Sequence, residues 1–236
     1  MVVAYGPLPT PDVAPHSDSH CRPSYSWKMT TSPSQIVFIV DDDEDMRLSM
    51  QRALKTVNLR AELFATPQDF LQRNIPDVPS CVVLDVRLPG IGGLEVQQKL
   101  IEAGINIPII FITAHGDIPM TVKAMKSGAF EFLTKPFRHQ EFLDAIQQAL
   151  QRDQLSRRQR NAMAELQERY KGLTARERKV MDLVVSGMQT KQIASVLGTS
   201  EITAAVHRGR VMHKMQAGSP AELGSMAERL KPSANR

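Results

Sequence analysis

A chain of 236 residues, 42% hydrophobic and 23% charged, has the make-up of a soluble globular protein of one large or two ordinary domains, and two are expected. No apolar run approaches the roughly 20 residues that span a bilayer, and the two cysteines, Cys21 in a proline-rich stretch and Cys81 in a predicted strand, give no sign of a disulfide framework and fit a reducing cytoplasm. The net charge of +4 is uneven: from Leu173 onward ten Lys and Arg stand against five Asp and Glu, a basic balance that favours a polyanion such as nucleic acid.

Residues 1–34 carry Pro7, Pro9, Pro11, Pro15, Pro23 and Pro33 among polar residues without apolar periodicity, and read as a disordered tail. The start lacks the charged and apolar segments of a signal peptide. His16, His20 and Cys21 are a stray cluster rather than a metal site, since a fourth ligand is missing. Met29, just before the first strand, is a candidate initiator.

Ile36–Val40 form an apolar run that ends in Asp41-Asp42-Asp43-Glu44-Asp45, after which a helical pattern runs from Met46 to Val57. Glu44 and Asp45 suit the positive end of that helix, whereas Asp41 and Asp42 come directly off the strand tip, where crowded carboxylates repel unless a cation is present. Strand then alternates with helix: strands at 61–64, 81–85, 108–113 and 130–134, helices at 67–73, 94–103, 118–127 and 141–150. Five strands and five helices in this order predict a parallel sheet with helices on both faces, reached by right-handed crossovers.

The central stretch is Cys81-Val82-Val83-Leu84-Asp85, a buried strand that delivers one carboxylate to its C-terminal tip before Pro89 and Gly90 break the run. An aspartate there also suits an ordinary loop start. Yet Asp41, Asp42, Asp85, Thr113 and Lys135 all fall at or just past strand C-termini, which parallel strands place on one edge, where open α/β sheets bind ligands. Three carboxylates, one lysine and one Mg²⁺ sum to zero, and Mg²⁺ takes hard oxygen ligands of this kind.

Val40-Asp41-Asp42, Leu84-Asp85 with Pro89 and Gly90, Thr113-Ala114 and Lys135-Pro136 together resemble the receiver domain of two-component response regulators, over residues 35–152. The resemblance implies a flavodoxin-like sheet in the order 2-1-3-4-5. It makes Asp85 the phospho-acceptor and Asp42, Asp85 and the Arg87 backbone carbonyl the Mg²⁺ ligands, with Asp41 acting through water. It assigns Thr113 and Lys135 to the phosphoryl oxygens, a cis bond to Lys135-Pro136, and a rotameric switch to Phe132, a position that equally suits a sheet-core phenylalanine. It implies a sensor histidine kinase as phosphodonor and a homodimer formed on phosphorylation through the surface of the helix at 118–127, the strand at 130–134 and the helix from 139.

From Arg138 to Lys171 there is neither Pro nor Gly, so the last receiver helix is expected to extend into a helical linker at 153–171; its irregular apolar spacing argues against a coiled coil. Thr174 and Glu177 then make a capping box, Thr190 is expected to cap a second helix from Lys191 to Leu197, and Gly198-Thr199-Ser200 makes a tight turn with Ser200 capping a third from Glu201 to Gln216. Ser219 and Glu222 read as a further capping box, opening a fourth helix striped by Leu223, Met226, Ala227 and Leu230. Residues 172–231, on Leu173-Thr174-Ala175-Arg176-Glu177, Lys191-Gln192-Ile193-Ala194 and Thr203-Ala204-Ala205-Val206-His207-Arg208, resemble the LuxR/FixJ-type helix-turn-helix effector, which sets a DNA-binding domain at 172–236.

Ala204, His207, Val211 and Met215 are expected inward, and Ile202, Ala205, Val206 and Gly209 toward a DNA major groove, with Thr203 also at the DNA and Lys191, Arg208, Arg210 and Lys214 as phosphate contacts. Many relatives carry valine at the position of Ala204 and often a charged residue at that of Ala205, so the groove face here is short of donors. The leading reading is a phosphorylation-activated transcription factor that acts on promoter DNA with RNA polymerase, is not an enzyme and does not enter a membrane. The alternatives are a Mg²⁺-dependent phosphohydrolase with Asp85 as nucleophile, a ligand-sensing regulator, or a DNA-binding regulator independent of phosphorylation.

Overall fold

The computed structural model describes residues 35–114 and 118–231. The tail at 1–34, with His16, His20, Cys21 and Met29, lies outside them. The elements are β1 (Ile36–Val40), α1 (Glu44–Thr56), β2 (Arg60–Phe64), α2 (Pro67–Leu71), β3 (Ser80–Asp85), α3 (Gly93–Glu102), β4 (Ile109–Thr113), α4 (Ile118–Lys126), β5 (Glu131–Thr134), α5 (His139–Lys171), α6 (Ala175–Val185), α7 (Thr190–Leu197), α8 (Glu201–Met215) and α9 (Pro220–Leu230).

The five strands form one parallel sheet in the order β2-β1-β3-β4-β5. Strands in such a sheet are covered on both faces, which is why β1, β3 and β4 read as unbroken apolar runs. Alternate residues then divide between two cores. Phe38, Val40, Val82, Leu84 and Phe111 face Phe70, Val96, Leu100 and Ala124 of α2, α3 and α4. Val37, Ile39, Cys81, Val83 and Ile112 face Met50, Leu54, Phe142 and Ile146 of α1 and α5.

Helix α5 is one continuous helix of 33 residues. Phe142, Ala145, Ile146, Ala149, Leu150 and Asp153 are buried at helical spacing near its start, and Leu166 is buried near its end. Leu166 joins a third core with Leu173, Val180, Met181, Ile193, Ala204, Val211, Met215 and Leu223, against which Met163 and Tyr170 also pack.

Most helix starts follow the expected chemistry. Asp43 caps α1 by accepting from the Met46 N–H at 3.2 Å, and Ser200 caps α8 through the Thr203 N–H at 3.2 Å. At α6 the box is complete: Thr174 Oγ1 accepts from Glu177 N at 3.2 Å, and Glu177 Oε2 from Thr174 N at 2.8 Å. Two expected caps differ. Helix α7 starts at Thr190 with Gln189 as its N-cap, whose N–H donates to Gln192 Oε1 at 2.8 Å, while the Thr190 hydroxyl accepts from Arg208 Nη1 at 3.3 Å. Before α9, Ser219 Oγ accepts from Glu222 N at 3.1 Å, but the Glu222 carboxylate turns to the Gly218 N–H at 2.8 Å, so the box is not closed.

Candidate functional site

The registers bring the strand tips together. Asp85 lies opposite Ile112, one residue short of Thr113, and Thr113 lies opposite Thr134, one residue short of Lys135. Val40 lies opposite Leu84, so Asp41 and Asp85 follow on neighbouring strands.

The acidic run after β1 is divided among three jobs. Asp41 is only 1% exposed, its Oδ1 accepting from the Asp43 N–H at 2.9 Å. Asp42 remains exposed beside it, and Asp43 turns away to cap α1. Lys135 Nζ reaches across the edge to Asp41 Oδ2 at 2.8 Å and Asp85 Oδ2 at 2.7 Å, while Asp85 Oδ1 accepts from the Arg87 N–H at 2.8 Å. The Lys135-Pro136 bond is cis, as expected. Thr113 is buried, and its carbonyl accepts from the Lys135 N–H at 2.7 Å, which ties β4 to the residue that carries the ammonium.

Electrostatics mark the pocket as short of positive charge. Burial lifts the Asp41 carboxyl above its ordinary range, although the hydrogen bonds from Lys135 and the Asp43 N–H oppose that rise. Burial disfavours the Lys135 ammonium too, yet its bonds to Asp41 and Asp85 outweigh the penalty and raise its pKa. Asp41, Asp42 and Asp85 each present a carboxylate oxygen within 4.8 Å of the others. Three carboxylates against one ammonium leave two negative charges on hard oxygen donors, a set that fits a small divalent cation such as Mg²⁺.

Other supports are less visible in the sequence. Arg47 Nη1 donates to the Asp41 carbonyl at 2.6 Å and pins the loop between β1 and α1. A Cβ on Gly93 would fall against the Asp85 carbonyl, so only glycine lets α3 begin so close to the end of β3. The Gly92-Gly93 pair was the available signal. Gln97, buried on α3, donates to the Ser127 carbonyl at 3.1 Å and fixes the end of α4.

Phe132 is half-buried on β5, with its ring 6.5 Å from that of Phe111. Beside it a cleft of about 650 Å³ runs along β5 and the start of α5, lined by Glu131, Leu133, Arg138 and Glu141 among others.

In the C-terminal region Ala204, Val211 and Met215 are buried and His207 is partly so. Ile202, Thr203, Ala205, Val206 and Gly209 are exposed on α8. Lys191 and Arg210 are exposed, whereas Arg208 is half-buried on Thr190. Lys214 stands apart from this set: its ammonium is held by Glu177 Oε2 at 2.6 Å and the Gly172 carbonyl at 3.3 Å, a role in joining α8 to the start of α6.

Comparison with known proteins adds to this geometry. Residues 37–147 match the response regulator receiver domain, and residues 171–227 match the bacterial regulatory proteins of the luxR family. The chain is 50% identical over 204 residues to nodulation protein W of Bradyrhizobium diazoefficiens, spanning 86% of this chain and 90% of that protein. It is 42% identical to the response regulator protein TodT of Pseudomonas putida, over 85% of this chain and 88% of the relative. Among solved structures it is similar to the response regulator StyR, with a TM-score of 0.78 and 43% identity over 83% of this chain and 99% of that one.

Proposed function

The chain belongs to the two-component response regulators that join a receiver to a LuxR-type DNA-binding domain, and from that membership we propose that Asp85 is its phospho-acceptor. In such a pair a histidine kinase is the partner on one side and DNA on the other. The observation that carries the assignment is the Lys135 ammonium bridging Asp41 and Asp85 in a pocket where three carboxylates converge.

The Asp85 carboxylate would attack the phosphorus of a phosphohistidine; an O–P bond forms, the P–N bond breaks, and the freed imidazole takes a proton. Lys135, already in the pocket, would neutralise the phosphoryl oxygens, and the Thr113 hydroxyl would hydrogen-bond one of them. Asp42 and Asp85 with the Arg87 carbonyl would hold Mg²⁺, and Asp41 would act through water. A bound Mg²⁺ would screen the charge that builds up between the carboxylate and the incoming phosphoryl group.

Once attached, the phosphoryl group adds nearly two negative charges and draws Thr113 toward it. Phe132 would then turn into the space behind Thr113, and the changed surface of α4, β5 and α5 would pair with a second copy. We take the receiver as residues 35–152, the helical linker as 153–171 and the DNA-binding domain as 172–236. Paired domains would place two α8 helices in successive major grooves and act on transcription through contact with RNA polymerase. A phosphohydrolase using Asp85 would leave the match at 171–227 without a purpose.

Incubation with Mg²⁺ and a small phosphodonor such as acetyl phosphate tests the assignment. Intact-mass measurement should find one added phosphoryl group on the wild-type chain and none on Asp85→Asn. Transfer to Asp85→Asn at the wild-type level, or none to either, would refute it.

A further inference from the structure

Helix α8 presents an unusual face. Ile202, Ala205, Val206 and Gly209 recur at i, i+3, i+4 and i+7, a single stripe at 3.6 residues per turn, on the side away from buried Ala204, Val211 and Met215. Ile202 is 78% exposed and Val206 48%. Gly209 has open space around it, so no neighbour demands a glycine there. Across its length of about 10 Å, some three base-pair steps, the stripe holds not one hydrogen-bond donor on a side chain.

The cations flank it. Arg210 lies along one side with Thr203, whose hydroxyl is already paired with Ser200 Oγ at 2.9 Å, and Arg208 lies along the other with its guanidinium on Thr190. Lys214 is committed to Glu177. Exposed isoleucine and valine are costly in water, yet here they lie between arginines in a region with a net positive charge. That combination fits a duplex: phosphates on the flanking arginines, and a groove floor that offers apolar groups. The only apolar group on the floor of the major groove is the C5-methyl of thymine.

We propose that this protein reads its operator chiefly through thymine methyl groups packed against Ile202, Ala205 and Val206, in place of arginine or lysine bonds to guanine. The proposal rests on the DNA-binding reading of residues 172–236 and names the chemistry by which that domain discriminates. The open space at Gly209 lets the helix axis approach the floor closely enough for short side chains to touch it.

The test uses the full chain and DNA alone. Duplexes retained from a randomised pool are sequenced, and within the retained site each thymine is replaced by deoxyuridine and each guanine by 7-deazaguanine, with affinity followed by fluorescence anisotropy. Loss of a methyl contact should weaken binding about four-fold per position, the worth of burying one methyl-sized group. In Val206→Ala and Ile202→Ala the penalty for deoxyuridine should vanish at the positions those residues cover and persist at the others. Tolerance of deoxyuridine throughout, with loss on 7-deazaguanine, would overturn methyl readout and leave the DNA-binding reading intact. Retention of no duplex would overturn both.

Discussion

Glu177 and Lys214 were each assigned to other roles by the sequence, one to a capping box and the other to DNA phosphate, and the structure joins them. Glu177 Oε2 accepts from Lys214 Nζ at 2.6 Å and from the Thr174 N–H at 2.8 Å, and these bonds, that of Lys214 foremost, lower its carboxyl from 4.5 to about 2. A carboxylate whose pKa is depressed by folding adds stability that is complete above its unfolded value and fades as it protonates. The melting temperature of the C-terminal core should therefore drop as pH falls from 4.5 toward about 2, and Glu177→Gln should flatten that part of the profile. An identical acid limb in wild type and variant, followed by circular dichroism, would remove Glu177 as its source. Lys214→Ala should mimic the loss without weakening the salt dependence of DNA binding, since its ammonium is paired with the buried Glu177 carboxylate.

At the scale of the element, α5 explains its own irregular pattern. Its first buried stripe serves the sheet and its last buried residue, Leu166, serves the C-terminal core, so one helix answers to two cores at different azimuths. Asp153 closes the first stripe. Fully buried, it accepts from the Ser80 N–H at 2.9 Å and from Arg157 Nε at 2.6 Å, and Arg157 also pairs with Asp77, which fastens the helix to the start of β3. Arg157 is thus part of an anchor, its side chain 17% exposed. Asp153→Ala would strand a buried amide and a guanidinium, a cost of about 3 kcal/mol. Hydrogen exchange should show protection lost at 143–157 and kept at 180–215; unchanged exchange in both segments would show that the anchor contributes little.

For the whole molecule, the proposed signal has to travel from the strand tips to a surface a second copy can recognise. The half-buried Phe132 lies three residues before Lys135 and beside the cleft along β5 and the start of α5, and in the proposed switch this is the surface that responds to a change at Thr113. Native mass spectrometry of the full chain at micromolar concentration, with Mg²⁺ and beryllofluoride as the phosphoryl mimic, should convert monomer to dimer in wild type and not in Asp85→Asn. A monomer population indifferent to the mimic would sever phosphorylation from assembly.

The sequence by itself determined the order of strands and helices, the sheet edge on which Asp41, Asp42, Asp85, Thr113 and Lys135 meet, and the continuous α5, because each follows from local periodicity and from the rule that parallel strands share an end. The family likeness carried by those residues supplied the cis Lys135-Pro136 bond. Only the tertiary structure decided which oxygen meets which donor: Lys135 between Asp41 and Asp85, Gly93 against the Asp85 carbonyl, Lys214 on Glu177, Arg157 on Asp153. Lys135 and Lys214 reach partners tens of positions away, and Asp153 and Arg157, four apart on one helix, are fixed by Ser80 and Asp77 more than seventy positions away. No local pattern encodes them, because a long charged side chain takes whichever buried partner the packing of other elements leaves within its reach.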